Sequence, residues 1–274
     1  MQNPTNNSLP QQIDHLEQRI NKHFPPKKLC IDAGTLKIIA CVTMFIDHLA
    51  TGFLKTAGTN GIAPIDMSDG IFWFYYVLAF IGRQAFPIYA FMIAEGYIHT
   101  RSKTKYMLRL LLFAILSQYP YYLLNKDTLT SMYSGNTIFT LLIGLLAVWV
   151  VDTILLQHLE QNKGQVILRG ISSLLAIVFF CWLTTIVAPD DYVWGGVLSV
   201  LFFYLFRQVR LVSVVASWFT LTRLEAFEAF SFPAMILIRH YNGQRGLRLK
   251  WFFYLFYPCH FLVILGLRWI ILGY

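Results

Sequence analysis

The sequence predicts an all-α, polytopic bundle of transmembrane helices. Of its 274 residues, 57% are hydrophobic and 16% aromatic, only 13% are charged, and the mean hydropathy is +0.55. Soluble domains contain about 45–50% apolar and about 25% charged residues. From residue 34 onward, apolar stretches alternate with short polar breaks, and many of them approach the roughly 20 residues that a helix needs to cross a bilayer. This composition excludes a soluble globular enzyme and a disordered chain.

We predict about nine spans, in chain order. They cover residues 34–54, 71–98, 106–124, 136–156, 166–187, 192–206, 209–222, 226–239 and 251–272. The sixth, seventh and eighth are short for a hydrocarbon core of about 30 Å. Either they are tilted helices in a thinned region or one is re-entrant, so the count lies between about eight and ten.

Residues 1–30 form a polar tail that precedes the membrane domain of residues 31–274. Within the tail, Ile13, Leu16, Ile20 and Phe24 fall at helical spacing among charged residues. This pattern indicates a short amphipathic helix on the membrane surface. A loosely ordered tail is the alternative.

Positively charged residues concentrate on one side of this layout. With the N-terminus placed in the cytoplasm, 17 of the 22 Lys and Arg residues fall on the cytoplasmic side, four fall on the other side, and Arg83 stays within the membrane. Cytoplasmic loops of membrane proteins carry such an excess. We therefore predict a cytoplasmic N-terminus.

The first two spans contain ionisable residues near the middle of the bilayer. His48, which follows Asp47, lies about 16 Å along the helix axis from Lys37. Arg83 lies at a matching depth in the second span. Pro87, four residues later, cannot donate a hydrogen bond to the carbonyl of residue 83, which predicts a kink there. Because such charges cost about 2.5–3.5 kcal/mol each at the membrane centre, they need a partner, a cavity or a function.

Two interpretations of this group remain open. In the structural one, Asp47 and Arg83 form a buried ion pair that locks two helices, and His48 is a hydrogen-bonded core histidine. In the functional one, His48 is a general base in a water-accessible cavity, and Asp47 or Arg83 tunes its pKa. Histidine suits this role because its ordinary pKa of about 6.5 allows proton transfer near neutral pH.

Further candidates lie nearer the cytoplasm. Glu95 and His99 are four residues apart and share a helix face. Two basic loops, 101–109 and 239–250, either hold the phosphates of a cofactor or set the topology and touch anionic lipid head groups. His260 lies at a depth close to that of His48, where the sequence favours a structural histidine. The four Cys show no metal-ligand spacing, so we expect no metal.

Five segments together resemble the TraX family, integral membrane proteins associated with N-terminal acetylation of conjugative pilin. The segments follow one another in order through residues 34–260: LKIIACVTMFIDH (36–48), IGRQAFPIYAFMIAEGYIHTRSKTKYMLRLLLFAILSQYP (81–120), NTIFTLLIGLLAVW (136–149), YNGQRG (241–246) and LFYPCH (255–260). More distantly, the sequence resembles membrane acyltransferase family 3, which acetylates sugars. It departs from that pattern at Gln118, where a glutamate is expected before the proline.

The resemblance implies an acetyltransferase of the bacterial inner membrane. The donor is acetyl-CoA, and the acceptor is an amine or hydroxyl group, such as a pilin-like N-terminus or a glycan. His48 is then the base, Arg83 stabilises the oxyanion, and Asp47 orients the helix of His48 or offsets Arg83. The donor arm reaches the midplane from the cytosol. Candidate donor-binding residues are Lys37, Glu95, His99, Arg101, Lys103, Arg109, Asn242, Arg245 and His260.

Two functions of other classes compete with this one. A proton- or solute-coupled transporter would use Asp47, His48 and Glu95 as a relay. A non-catalytic component of a conjugation or secretion apparatus would tolerate substitution of the buried charges. All three functions place the protein among membrane lipids, and none requires nucleic acid.

Overall fold

The computed structural model describes residues 18–20, 22, 31–55, 69–124, 134–156, 163–247 and 249–272. Most of the surface helix that we predict at the N-terminus lies outside these residues. The described residues form helices joined by turns and short irregular segments, with one isolated β-bridge and no strand, so the all-α prediction is confirmed.

Ten α-helices make up the described bundle. They are α1 Ala33–Ala50, α2 Asp69–Gly82, α3 Ala85–His99, α4 Lys103–Leu124, α5 Thr137–Val151, α6 Lys163–Val187, α7 Val193–Leu205, α8 Arg210–Leu224, α9 Phe232–Arg239 and α10 Lys250–Leu272. Single π-helical segments extend α1 and α5, and a 3₁₀ helix, Ala226–Ser231, connects α8 with α9.

Six of the described helical stretches are long and apolar enough to cross a membrane. They are Ala33–Phe53, Phe72–His99, Lys103–Leu124, Thr137–Ile154, Gly164–Val187 and Trp251–Ile271, and each coincides with a predicted span. The three short predicted spans correspond to shorter helices. The eighth, predicted at 226–239, is not one continuous α-helix, because it consists of the 3₁₀ helix followed by the eight-residue α9.

The core lies where α7 packs against α3, α5, α6 and α8. Ile88, Val148 and Leu201, from three of these helices, are almost completely buried there. Helix α1 packs against α2, α3 and α10, while α6 keeps most of its apolar surface outside the bundle. The first and last described helices are therefore neighbours.

The bundle has two chemically different ends. At the end where α1 begins, the Tyr97 and Tyr204 hydroxyls donate to Asp152, and Lys103 donates to the carbonyl of Tyr97. We call this the basic end, after the basic loops 101–109 and 239–250, which lie there. At the opposite end, Asp191 accepts hydrogen bonds from Thr137 and Thr140. We call this the acidic end, after Asp190, Asp191 and Glu225.

A helix break separates α2 from α3 at Arg83 and Gln84, which is where the sequence predicts a kink. The Gln84 amide nitrogen donates to the carbonyls of Phe80 and Phe230, at 2.9 and 2.7 Å, and its oxygen accepts from Ala234 N at 2.9 Å. This amide therefore satisfies backbone groups at the break and at the start of α9, which fixes the two elements against each other.

The basic end is closed by a backbone pairing between distant segments. Ile31 N donates to His240 O, and Asn242 N donates to Ile31 O at 2.9 Å. Asp32 caps α1 by accepting from Thr35 N at 2.8 Å. Gly246 has a φ of +60°, and a Cβ there would lie 2.1 Å from Asp32 Oδ1. Only glycine therefore allows this loop to approach the capped end of α1.

Candidate active site

A cavity of about 540 Å³ lies between the middle of the bundle and the acidic end. His48 and Asp47 reach it from α1, Arg83 from the helix break, and Glu228 from the 3₁₀ helix. Asp190 on its rim is exposed, so the cavity reaches the surface at the acidic end. Asp47, His48 and Arg83, which the sequence places at one depth in the first two spans, thus line one cavity.

Arg83 is held between two carboxylates from different elements. Its Nη1 donates to Glu228 Oε1 at 2.8 Å, and its Nη2 donates to Asp47 Oδ1 at 3.3 Å. Glu228 is almost fully buried, whereas the Arg83 side chain keeps 22% of its surface exposed. The ion pair between Asp47 and Arg83 that the structural interpretation describes is therefore present, with a second and shorter one, to Glu228, beside it.

The Asp47–Arg83 pair requires glycine at the end of α2. A Cβ added at Gly82 would lie 2.1 Å from Asp47 Oδ1 and 2.4 Å from Asp47 Cβ, well inside van der Waals contact. Because α1 and α2 pack closely at this point, the carboxylate of Asp47 can pass Gly82 and reach the guanidinium at the helix break.

His48 makes a hydrogen bond to a second histidine from the last described helix. His48 Nδ1 and His260 Nε2 are 2.6 Å apart, and the two ring planes are inclined by only 16°, with centroids 4.9 Å apart. His260 Nδ1 in turn lies 3.0 Å from the carbonyl oxygen of Phe256. His260 is 3% exposed and does not line the cavity, so it lies behind His48 as seen from the cavity.

Aromatic and acidic side chains form the remaining wall. Tyr192 stacks on Phe86 at 3.5 Å between centroids, and both line the cavity together with Tyr89 and Tyr121. Asp191 lies beside them, where burial raises the pKa of its carboxyl, although the hydrogen bonds from Thr137 and Thr140 oppose that rise. A wall of aromatic rings with carboxylates at its rim is suited to a cationic group.

The predicted donor-binding residues other than His260 lie toward the basic end, and none of them lines the cavity. Arg245 is close enough to Lys37 for their charges to interact. Glu95 bonds His99 at 3.1 Å, and Asn242 accepts from Gln244 N at 2.8 Å. Arg101 is exposed, Lys103 is bound to Tyr97, and Arg109 is partly buried in α4. His260 is thus separated from this group.

Gln118, where the sequence departs from the acyltransferase pattern, has a structural role. Its amide nitrogen donates to Ser134 O at 2.8 Å, and its oxygen accepts from Asn136 N at 3.1 Å and Nδ2 at 2.9 Å. These bonds attach α4 to the residues that precede α5. The side chain therefore supports the start of α5 rather than the cavity.

Several lining residues are absent from the sequence-based candidates. Glu228 is the most consequential of these, because it binds Arg83. The one available signal was an acidic residue within a short apolar span, 226–239. The lining tyrosines gave no signal, because aromatic residues are common throughout the chain.

Comparison with known proteins identifies the family. A family model described as "TraX protein" matches residues 32–268. The chain is also 28% identical over 264 residues to a Dichelobacter nodosus protein named "Probable fimbrial assembly protein FimC, serogroup H1", covering 85% of this chain and 94% of that relative. No solved structure matches it significantly. Because the family model covers most of its length, the chain belongs to the TraX protein family.

Proposed function

We propose that this protein is a membrane acetyltransferase of pilus assembly, which transfers an acetyl group from acetyl-CoA to the N-terminal amine of a pilin-like peptide. Family membership and the fimbrial-assembly name of its relative support a role in pilus or conjugation machinery. The cavity supports the finer assignment. The observation that carries it is that His48, from α1, and Arg83, from the break between α2 and α3, line one cavity that reaches the surface at the acidic end.

The reaction requires a base, and His48 supplies it. The acceptor first loses one proton from its ammonium group to water. The neutral nitrogen then attacks the thioester carbonyl carbon, and a C–N bond forms. When the resulting tetrahedral intermediate collapses, the C–S bond breaks. His48 takes the second proton from the nitrogen and returns it to the sulfur, which leaves as the thiol of CoA. General-base catalysis of this kind contributes about 10²–10⁴-fold in rate.

Arg83 supplies the fixed positive charge near the developing oxyanion. Its Nη atoms are held by Glu228 and Asp47, so the guanidinium is oriented before the substrate arrives. Its Nε has no hydrogen-bond partner among the described residues. A preorganised donor of this kind is typically worth about 2.7–4 kcal/mol of transition-state stabilisation.

The acceptor enters at the acidic end under this proposal. Asp190 and Glu225 line the cavity and are exposed at this end, and a cationic amine is attracted to such carboxylates. The acidic end lies on the non-cytoplasmic side if the basic end faces the cytoplasm, as the distribution of Lys and Arg predicts. The protein would then reside in the inner membrane and receive its acceptor from outside.

Acetyl-CoA carries anionic phosphates, and the basic end is the matching surface for them. The thioester would then approach the cavity past Tyr89. Tyr89 lines the cavity, and its Oη lies 3.1 Å from the Sγ of the buried Cys41.

The test is an acetylation assay on purified protein in lipid nanodiscs, with radiolabelled acetyl-CoA and a peptide that has a free N-terminal amine. We expect transfer by the parent, its loss in His48→Ala, and parental transfer in the control variant Thr185→Ala, because Thr185 is exposed on α6 and lines neither the cavity nor the basic end. Unchanged turnover in a folded His48→Ala variant would overturn the assignment. Ion or solute flux in liposomes without any acetyl donor would instead indicate a transporter.

A further inference from the structure

We infer that His260 is a positioning residue that fixes the protonation pattern of the His48 ring, so that the Nε2 atom of His48 carries the lone pair. The inference rests on the proposed function for its catalytic consequence. Its structural content depends only on the hydrogen bonds that join Phe256, His260 and His48.

The chain of hydrogen bonds has a single consistent direction. A carbonyl oxygen only accepts, so His260 Nδ1 must donate to Phe256 O. His260 is almost fully buried and has no carboxylate partner among the described residues, which favours a neutral ring. In a neutral imidazole, the other nitrogen, Nε2, is an acceptor.

The direction of the second bond follows from the first. Because His260 Nε2 accepts, His48 Nδ1 must be the donor across the 2.6 Å contact. A neutral His48 then has its lone pair on Nε2, for which the described residues provide no hydrogen-bond partner. His48 thus reaches the cavity as a ready base rather than as a hydrogen-bond donor.

The packing around His260 holds its ring in this orientation. The ring is parallel to that of Phe256, with an interplanar angle of 7°, and lies 4.1 Å between centroids from Phe261. Tyr257 covers another edge. Rotation of the imidazole would break both hydrogen bonds inside this aromatic cage. A buried, unpaired polar group costs about 1–3 kcal/mol.

His260 takes the role that a carboxylate has in many catalytic triads. Asp47, the carboxylate next to His48 in sequence, is unsuited to it because it accepts from Arg83 instead. A neutral partner still accepts the hydrogen bond from Nδ1 after His48 becomes positively charged. Because it has no negative charge to stabilise the His48 imidazolium, His48 readily passes on the proton that it took up at Nε2.

The test compares two substitutions of His260. His260→Gln places an amide oxygen near the former Nε2 position, whereas His260→Phe keeps a ring but no acceptor. We expect His260→Phe to lower kcat by about 10²-fold, in line with the loss of a general base, with little change in KM. We expect His260→Gln to recover most of the activity. Thermal unfolding of both variants reports whether the fold is retained.

A spectroscopic measurement separates this inference from the proposed function. In protein labelled with ¹⁵N-histidine, with the His48 signals assigned by their absence in His48→Ala, we expect Nδ1 protonated and Nε2 unprotonated. We expect His260→Phe to change this pattern. A protonated Nε2 in the parent, or parental kcat in His260→Phe, would overturn the inference. Failure of the parent to transfer acetyl groups would overturn only the proposed function.

Discussion

Arg83 Nη1 donates a 2.8 Å hydrogen bond to Glu228 Oε1 across 145 residues of sequence. With the bond to Asp47, this contact joins three elements: α1, the break between α2 and α3, and the 3₁₀ helix before α9. One guanidinium thus organises both the wall of the cavity and the packing of the elements around it.

Removing the guanidinium should destabilise the fold. Arg83→Met leaves the carboxylates of Asp47 and Glu228 without a counter-charge, and breaking a buried pair in this way typically costs about 3–5 kcal/mol. Chemical unfolding followed by circular dichroism in detergent measures the change. The control is Arg223→Met, an exposed arginine on α8, for which we expect a change below about 0.5 kcal/mol. Equal stability of the two variants would contradict the bridging role of Arg83.

Gly82→Ala should be destabilising for a steric reason. The new methyl group would lie 2.1 Å from Asp47 Oδ1, and overpacking of this kind costs about 1–3 kcal/mol. Gly170→Ala, in α6, is the matched control, because a Cβ added there would have nothing within 4 Å. There we expect stabilisation of about 0.5–1 kcal/mol, since alanine is the better helix former. The thermal unfolding temperature should therefore fall for Gly82→Ala and rise for Gly170→Ala.

The sequence allows the central residues to be predicted because depth in a spanning helix follows from residue count. Residue count places Asp47, His48 and Arg83 at one level, and Pro87 locates the break. Their partners could not be predicted, because the 3₁₀ helix and α10 reach them through connections whose geometry the sequence does not give. Glu228 and the contact between His260 and His48 depend on this tertiary arrangement.

Gln84 illustrates a second limit of prediction from sequence. A glutamine inside a membrane span signals a need for hydrogen bonds, but its partners, Phe230 and Ala234, are backbone groups. Backbone groups look the same at every position of a sequence. The carbonyl of Phe230 and the N–H of Ala234 are available to Gln84 because of the helix break at Arg83 and because Pro233 lies at the start of α9.

Neutralising the acidic rim should weaken binding of the amine acceptor. Asp190→Asn and Glu225→Gln each remove an exposed negative charge from the cavity entrance. An exposed charge contributes up to about 1 kcal/mol, so we expect KM for the peptide to rise by about two- to fivefold. Steady-state kinetics should show KM for acetyl-CoA unchanged, and high salt should reduce the difference. A selective rise in KM for acetyl-CoA would instead indicate that the donor uses this entrance.

The loop at the basic end allows a test of coupling between two residues. Gly246→Ala introduces a contact of 2.1 Å with Asp32 and a strained φ of +60°, whereas Gly243→Ala, at +77°, meets no neighbour within 4 Å. Both substitutions carry the backbone strain of alanine at positive φ, which is about 1–2 kcal/mol. Because Gly246→Ala adds the contact with Asp32, we expect it to lower the free energy of unfolding more than Gly243→Ala does.

The double variant isolates the steric part. Asp32→Ala alone should cost about 1 kcal/mol through loss of the helix cap. Combined with Gly246→Ala, it also removes the clashing carboxylate, so the double variant should be more stable than the sum of the single changes predicts. Strict additivity would show that Asp32 and Gly246 do not interact.

The pairing of His48 with His260 has a consequence for biogenesis. The two imidazoles belong to the first and last helices of the described bundle, and a nascent chain emerges from the ribosome N-terminus first. The base therefore acquires its orienting neighbour only after α10 has been translated. Until then, a partly inserted chain holds its imidazole and buried charges without the arrangement that would make them reactive.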